Sequence, residues 1–277
     1  MLMKLEVVRP VIESLKTFNI DYTVCDEVSI EPTVTLFENL VDNLDQKKFD
    51  SVFAVGGGSV IDVAKGVAIV AQFDGHIRDY SGLNKVPAPL ERKLIAVPTT
   101  AGTGSKISDG SVFIDEAIQS KFLVLSNFIC PKVAITDPEL TMLMPPEITA
   151  NSGVDTLTHG IESYLSKDAS VATRLFSIKA VELISSGLKT AYYNGENIDA
   201  CDNRTGWGNN GHGRWNECTY GVMSCHGNAH LCPLSYAPRP GVRHGPSPCS
   251  GLQCGGSRRK GDRYLQGYGN DRQGREE

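Results

Sequence analysis

Asp155 and His159 stand four residues apart in GVDTLTHGIESYLS, residues 153–166. If this stretch is helical, the spacing puts a carboxylate and an imidazole on one face, one turn apart. Such a pair can give two ligands to a divalent metal. Taken alone, the spacing describes a surface ion pair or a satisfied polar contact equally well. Two glycine-rich stretches upstream shift that balance towards a site.

The first is SVFAVGGGSVIDVAKGVAIV, residues 51–70. Ser51–Val55 has the short apolar character of a buried parallel strand. Gly56, Gly57 and Gly58 follow, and an apolar-periodic helix is expected from Val60. Ser59 is expected to cap it, with Asp62 in a capping-box-like position. Strand, glycine turn and helix bring backbone amides and a positive helix end against phosphate. The turn lacks the spacing of G-x-G-x-x-G and the G-K-[ST] ending of a P-loop, so a tight turn without ligand remains open. The second stretch is KLIAVPTTAGTGSK, residues 93–106. A strand, Leu94–Val97, runs into Thr99, Thr100, Thr103 and Ser105, which offer hydroxyls, while Gly102 and Gly104 allow close backbone approach. A flexible polar loop is the plainer reading. Two such turns in one α/β chain predict a shared nucleotide crevice at the carboxyl ends of parallel strands.

The elements that must position these residues alternate. YTVCDEV, SVFAV, KLIAVP and KVAITD read as strands, and PTVTLFENLVDNL and VIDVAKGVAIVAQF as helices. That order predicts a parallel sheet covered by helices. SVFIDEAIQSKFLVL reads as a hairpin turning at DEAIQ. From Pro145 the pattern becomes helical, in PPEITANSGVDTLTHGIESYLS and ATRLFSIKAVELISSGLKTAY. Leu175, Ile178, Val181 and Leu183 are available for a core face of the latter. Cys25 and Cys130 are expected to be small buried residues, and His76 a surface loop residue beside Asp79.

Together GGGSVIDVAK, PTTAGTGS and DPELTMLMPPEITANSGVDTLTHGIESYLS closely resemble the iron-containing alcohol dehydrogenases, over roughly residues 5–195. The resemblance implies a Rossmann-like dinucleotide-binding α/β domain over 1–144. The beginning of an all-helical metal-binding domain would follow over 145–200, with the metal in the cleft between the two. It implies that Gly57, Gly58 and Ser59 contact the pyrophosphate of NAD or NADP. Thr99, Thr100 and Thr103 would line the adenine and ribose side, and Lys121 and Leu140 would also touch the dinucleotide. Asp155 and His159 match the first two of four metal ligands, for Fe²⁺ or alternatively Zn²⁺. The implied activity is reversible hydride transfer between a small alcohol or aldehyde and the dinucleotide. A glycerol dehydrogenase-like oxidoreductase shares the glycine turn, but the DPEL…TH run matches the alcohol dehydrogenases better. Two departures stand out. Lys106 replaces the family's usual Glu after TAGTGS, and the family's first strand, ending in an Asp near the adenosine ribose, has no counterpart.

Composition sets the remaining bounds. A net charge of −5 gives no basic footprint for nucleic acid. No apolar run is long enough for a bilayer, and MLMKLEVVRP has no signal-peptide core, so a cytoplasmic protein is expected. Homo-oligomerisation is left open. The character changes near Cys201. Residues 201–277 hold six of the eight cysteines, both tryptophans and fifteen of 28 glycines, but no Ile or Phe. Such a tail cannot bury enough aliphatic surface to offset the entropy of ordering it. It reads as disordered, and its abrupt onset as an out-of-frame continuation. Cys218, Cys225, His226, His230 and Cys232 cluster there, but without C-x₂-C spacing no zinc site is assigned. With only two family ligands present, an inactive dinucleotide-binding fragment is the alternative to a working enzyme.

Overall fold

The computed structural model describes residues 8–29, 31–44, 49–142, 144–167 and 169–197. The tail and its cysteine–histidine cluster lie outside the described residues. Strands β1 (Ser51–Gly56), β3 (Lys93–Pro98) and β6 (Val133–Ala134) form a parallel sheet in the order β1-β3-β6. The register pairs Ser51 with Lys93 and Gly56 with Pro98, so β1 and β3 end together. A second sheet takes the order β2-β5-β4, from β2 (Gly82–Leu83), β5 (Ser120–Leu125) and β4 (Gly110–Asp115). β4 and β5 are the antiparallel hairpin read from the sequence, with Asp115 opposite Ser120.

Helix α3 (Gly58–Val70) joins the two sheets. Val63, Val67 and Ile69 pack in one apolar core with Val34, Phe37 and Leu40 of α2 (Val34–Asp42), and with Phe113 and Val124. Phe37 meets Phe113 edge-on at 5.2 Å, and Phe113 stacks on Phe122 at 5.7 Å. Gly66 makes this contact possible, because a Cβ there would lie 2.7 Å from Phe37. Thr33 caps α2 as its hydroxyl accepts from the Leu36 amide at 3.2 Å.

Two helices follow the short α4 (Glu139–Met142): α5 (Pro146–Leu165) and α6 (Val171–Tyr193). Their seam differs from the expected aliphatic stripe. Leu175 and Ile178 are 63% and 52% exposed, whereas Thr173, Ser177, Ile184, Gly187 and Ala191 are buried. Small residues let the backbones approach closely. A Cβ at Gly153 would overlap Leu188, and one at Gly160 would stand 3.0 Å from Val181. Val181 and Leu183 are half-buried.

Other expectations are corrected at the amino end. No strand forms over YTVCDEV, because no partner ladder runs along it among the described residues, and Cys25 is consequently exposed. KVAITD is a strand only at Val133–Ala134. Helix α1 (Arg9–Thr17) buries none of its residues. His76 is exposed as expected, with its amide on Asp79 at 2.7 Å. Among the described residues no helix is long and apolar enough to cross a membrane.

Candidate functional site

The two glycine-rich loops meet. The Thr99 amide donates to the Gly56 carbonyl at 3.0 Å, just past the paired ends of β1 and β3. A Cβ on Gly57 would lie 3.3 Å from the Thr100 side chain, and one on Gly58 would lie 2.6 Å from Thr103 Oγ1. The threonine loop therefore closes directly over the glycine turn, at the carboxyl end of the parallel strands. Leu140 is half-buried in α4, on the segment that leaves the same end of β6.

The helix begins earlier than the sequence suggests. Gly57 is the N-cap of α3, in extended conformation, and Gly58 is its first residue. Ser59 thus lies inside the first turn and does not cap it. Its hydroxyl accepts from the Glu31 amide at 3.3 Å. The first-turn amides at Gly58 and Ser59 have no acceptor within the helix, which makes them anion donors.

Asp62 is not half of a capping box. It is buried, and its carboxylate accepts from Ser105 Oγ at 3.0 Å and from the Val112 amide at 3.2 Å. One turn on, Lys65 is wholly buried and donates to Ser108 Oγ at 2.9 Å and to the Gly110 carbonyl at 2.6 Å. Burial pushes the Asp62 carboxyl up, against Lys65 and the two donors. It pushes the Lys65 ammonium down, against Asp62. These two charges clamp residues 105–112 onto α3. Ser105 carries the clamp to Thr103, with hydroxyls 3.3 Å apart. The sequence does carry a signal for this clamp, as Asp62 and Lys65 are the only charged residues in an otherwise apolar helix.

Asp155 and His159 are half-buried on α5, one turn apart as expected. That helix docks on the threonine loop. Thr156 Oγ1 lies 3.3 Å from the Gly102 carbonyl, and a Cβ on Gly102 would stand 2.8 Å from Ser152 Cβ. Glu162 follows on the same helix at i+7 from Asp155, near enough to feel both charges but not converging with them, and the pair alone does not single it out. It is buried with Oε1 unpartnered. Burial pushes its carboxyl up, opposed by His159 and reinforced by Asp155. The donor types suit Fe²⁺ or Zn²⁺. Among the described residues, however, no three His, Cys, Asp or Glu side chains converge to hold a metal.

Residues 1–138 match the family described as iron-containing alcohol dehydrogenase, and residues 149–205 match its C-terminal region. The chain belongs to the iron-containing alcohol dehydrogenase family. The NAD-dependent methanol dehydrogenase of Bacillus methanolicus is 37% identical over 190 residues, which are 69% of this chain and 50% of that protein. The alcohol dehydrogenase from Oenococcus oeni superposes with a TM-score of 0.71 at 31% identity, covering 80% of this chain and 55% of the other. Sulfoacetaldehyde reductase from Bifidobacterium kashiwanohense, solved in complex with NAD⁺, gives 0.64 at 28% identity, over 79% of this chain and 57% of that one. The chain spans about half the length of the curated relatives it matches.

Lys106, where the resembled family has Glu, is half-buried and has no hydrogen-bond or ion-pair partner among the described residues. Burial pulls its ammonium down to about 8. An unfolded lysine titrates near ~10.4, so between about 8 and that value the unfolded chain binds more protons and stability rises with pH. Below about 8 the charged ammonium costs its full penalty. Lys106→Met is therefore expected to stabilise the chain at pH 7 by about 1–2 kcal/mol, a figure reduced for partial solvent screening. The gain should vanish by about pH 10.5. Urea midpoints at both pH values check this, and a gain that does not change with pH contradicts it.

Proposed function

We propose that this chain carries the dinucleotide-binding part of an alcohol dehydrogenase, residues 1–144, and the opening helices of its metal-binding part, residues 145–200. One observation carries the reading: α5, with Asp155 and His159, packs on the loop that closes over the glycine turn. A dinucleotide held at the turn would then present its reactive end to the helix that bears the metal-ligand pair.

Each part has a physical role. Gly57 and Gly58 let phosphate reach the amides of the first turn of α3, where the helix dipole favours negative charge. Thr99, Thr100 and Thr103 wall the crevice, and the buried Asp62–Lys65 clamp fixes that wall. Hydride transfer needs alignment and a site that excludes water, which two closely packed loops supply. Asp155 and His159 are two donors, and two donors do not close a coordination shell. What the described residues supply is therefore binding and alignment. The relatives act, by their names, on methanol, alcohols and sulfoacetaldehyde, which supports a small alcohol or aldehyde as the substrate class.

The lack of a third donor among the described residues favours a second reading, a dinucleotide-binding chain without turnover. One experiment separates the two. The full chain is loaded with Fe²⁺ or Zn²⁺ and NAD or NADP, and reduced dinucleotide is followed by absorbance with a panel of primary alcohols. Turnover supports the first reading. Dinucleotide binding without turnover supports the second, and no binding at all contradicts both.

A further inference from the structure

Lys106 lies on the single turn Ser105–Ile107, which leads out of the threonine loop. Buried charge anchors both flanks of this turn. Ser105 Oγ donates to the Asp62 carboxylate at 3.0 Å, and Ser108 Oγ accepts from Lys65 Nζ at 2.9 Å. Gly104 opens the turn at φ +65°, and the Ile107 amide donates back to the Gly104 carbonyl at 3.1 Å. The backbone beneath Lys106 is therefore fixed. Its side chain is half-buried and has no hydrogen-bond or ion-pair partner among the described residues.

Other lysines are held. Lys65 donates to Ser108 Oγ and the Gly110 carbonyl, Lys121 to Glu31 at 2.8 Å, and Lys179 to Glu182 at 2.7 Å. No carboxylate does the same for Lys106. Asp62 is engaged by Ser105 and the Val112 amide, and Asp109 acts on Lys65. Burial is the one influence on the Lys106 ammonium and pulls it down to about 8.

A half-buried amine without a partner is stabilised by losing its charge. The neutral amine is a nucleophile, and desolvated lysines are the ones that form Schiff bases with carbonyl compounds. We propose that Lys106 is a covalent aldehyde-binding site on the loop that walls the crevice. The Nζ lone pair attacks the carbonyl carbon, and a proton passes from nitrogen to oxygen to give a carbinolamine. Loss of water then leaves the C=N bond of an imine, with no oxidant or reductant required. The imine, unlike the ammonium, can stay uncharged in a half-buried position. The ligand class is a small aldehyde, because partial burial limits size and an aldehyde carbon is less crowded than that of a ketone. The Glu of the resembled family has no amine for this step, so the site belongs to this chain. It needs only the folded turn and an aldehyde, and so stands apart from the dinucleotide reading.

The test is brief labelling of the full chain with acetaldehyde and sodium cyanoborohydride, which reduces an imine to a stable secondary amine, followed by peptide mass mapping. NADH is absent throughout, so failure here leaves the dinucleotide reading untouched. At pH 7 about a tenth of an amine titrating near 8 is neutral, against roughly one part in 2,500 for an ordinary lysine near ~10.4. Restricted access and lower basicity offset part of that difference. Lys106 should therefore be labelled about tenfold faster than the median of the other thirteen lysines. The lead should vanish at about pH 10.5, where ordinary lysines are also largely neutral, and in urea, where the turn is lost. No stable label should form without the reductant. Labelling of Lys106 no faster than the median at pH 7 overturns the proposal. A lead that survives at pH 10.5 or in urea also overturns it, since access or local sequence then accounts for the rate. Stable label without reductant rules out the imine.

Discussion

Gly58→Val should abolish dinucleotide binding while leaving the helix content unchanged. A Cβ at position 58 would lie 2.6 Å from Thr103 Oγ1 and 2.8 Å from its Cγ2, before the two valine methyls are added. Thr103 cannot yield freely, because it is tied through Ser105 to the buried Asp62 carboxylate. The substitution therefore pushes the loops apart and covers the first-turn amides of α3. A loss of more than about a hundredfold in affinity is expected, since phosphate contact and crevice geometry fail together. Gly57→Ala is the milder comparison. Its Cβ would meet Thr100 at 3.3 Å, which a small shift relieves, so a loss of severalfold is expected. Calorimetry with NADH checks both. Equal affinity of Gly58→Val and wild type would remove the glycine turn from the binding site.

The second large effect concerns residues beyond about 200. Helices α5 and α6 leave Leu165, Val171, Leu175, Ile178 and Tyr193 exposed, Val171 by 78%. Such faces on paired helices call for further helices to cover them. The sequence after Cys201 has no Ile and no Phe to do so, and the family match stops at residue 205. The Asp155–His159 pair lacks further donors among the same described residues. A gene in which another reading frame follows codon 200 is therefore expected to encode apolar-periodic helices with additional histidines. The protein made from it should gain metal binding and alcohol oxidation, and should aggregate less. DNA sequence gives the first check. If neither alternative frame encodes such helices, the frame change is wrong. If the chain as it stands binds metal tightly and oxidises alcohols, the defective site is wrong as well.

The local units of this site are legible in the sequence because their signals are local. The glycine turn follows a β-rich run, the threonine loop follows another, and the hairpin turns where DEAIQ breaks the alternation. Their meeting follows from topology, since adjacent parallel strands end at the same edge. Long-range polar partners are not legible. Ser59 has the sequence context of a cap, but the helix starts at Gly58 and the Ser59 hydroxyl turns to Glu31, 28 residues away in sequence. Asp62 and Lys65 resemble ordinary helix charges, yet both find partners more than 40 residues on. The α6 seam departs from its aliphatic periodicity for a packing reason. Glycine, serine and threonine make the close face, and Leu175 and Ile178 point outward.

Hydrogen exchange of the full chain with and without saturating NADH tests the central claim most directly. Binding in the crevice should slow exchange at amides 57–60 and 99–105, where the two loops meet. The outer face of α6 should exchange at the same rate in both states. Protection elsewhere with none at these two loops, or no change anywhere, would contradict the dinucleotide crevice.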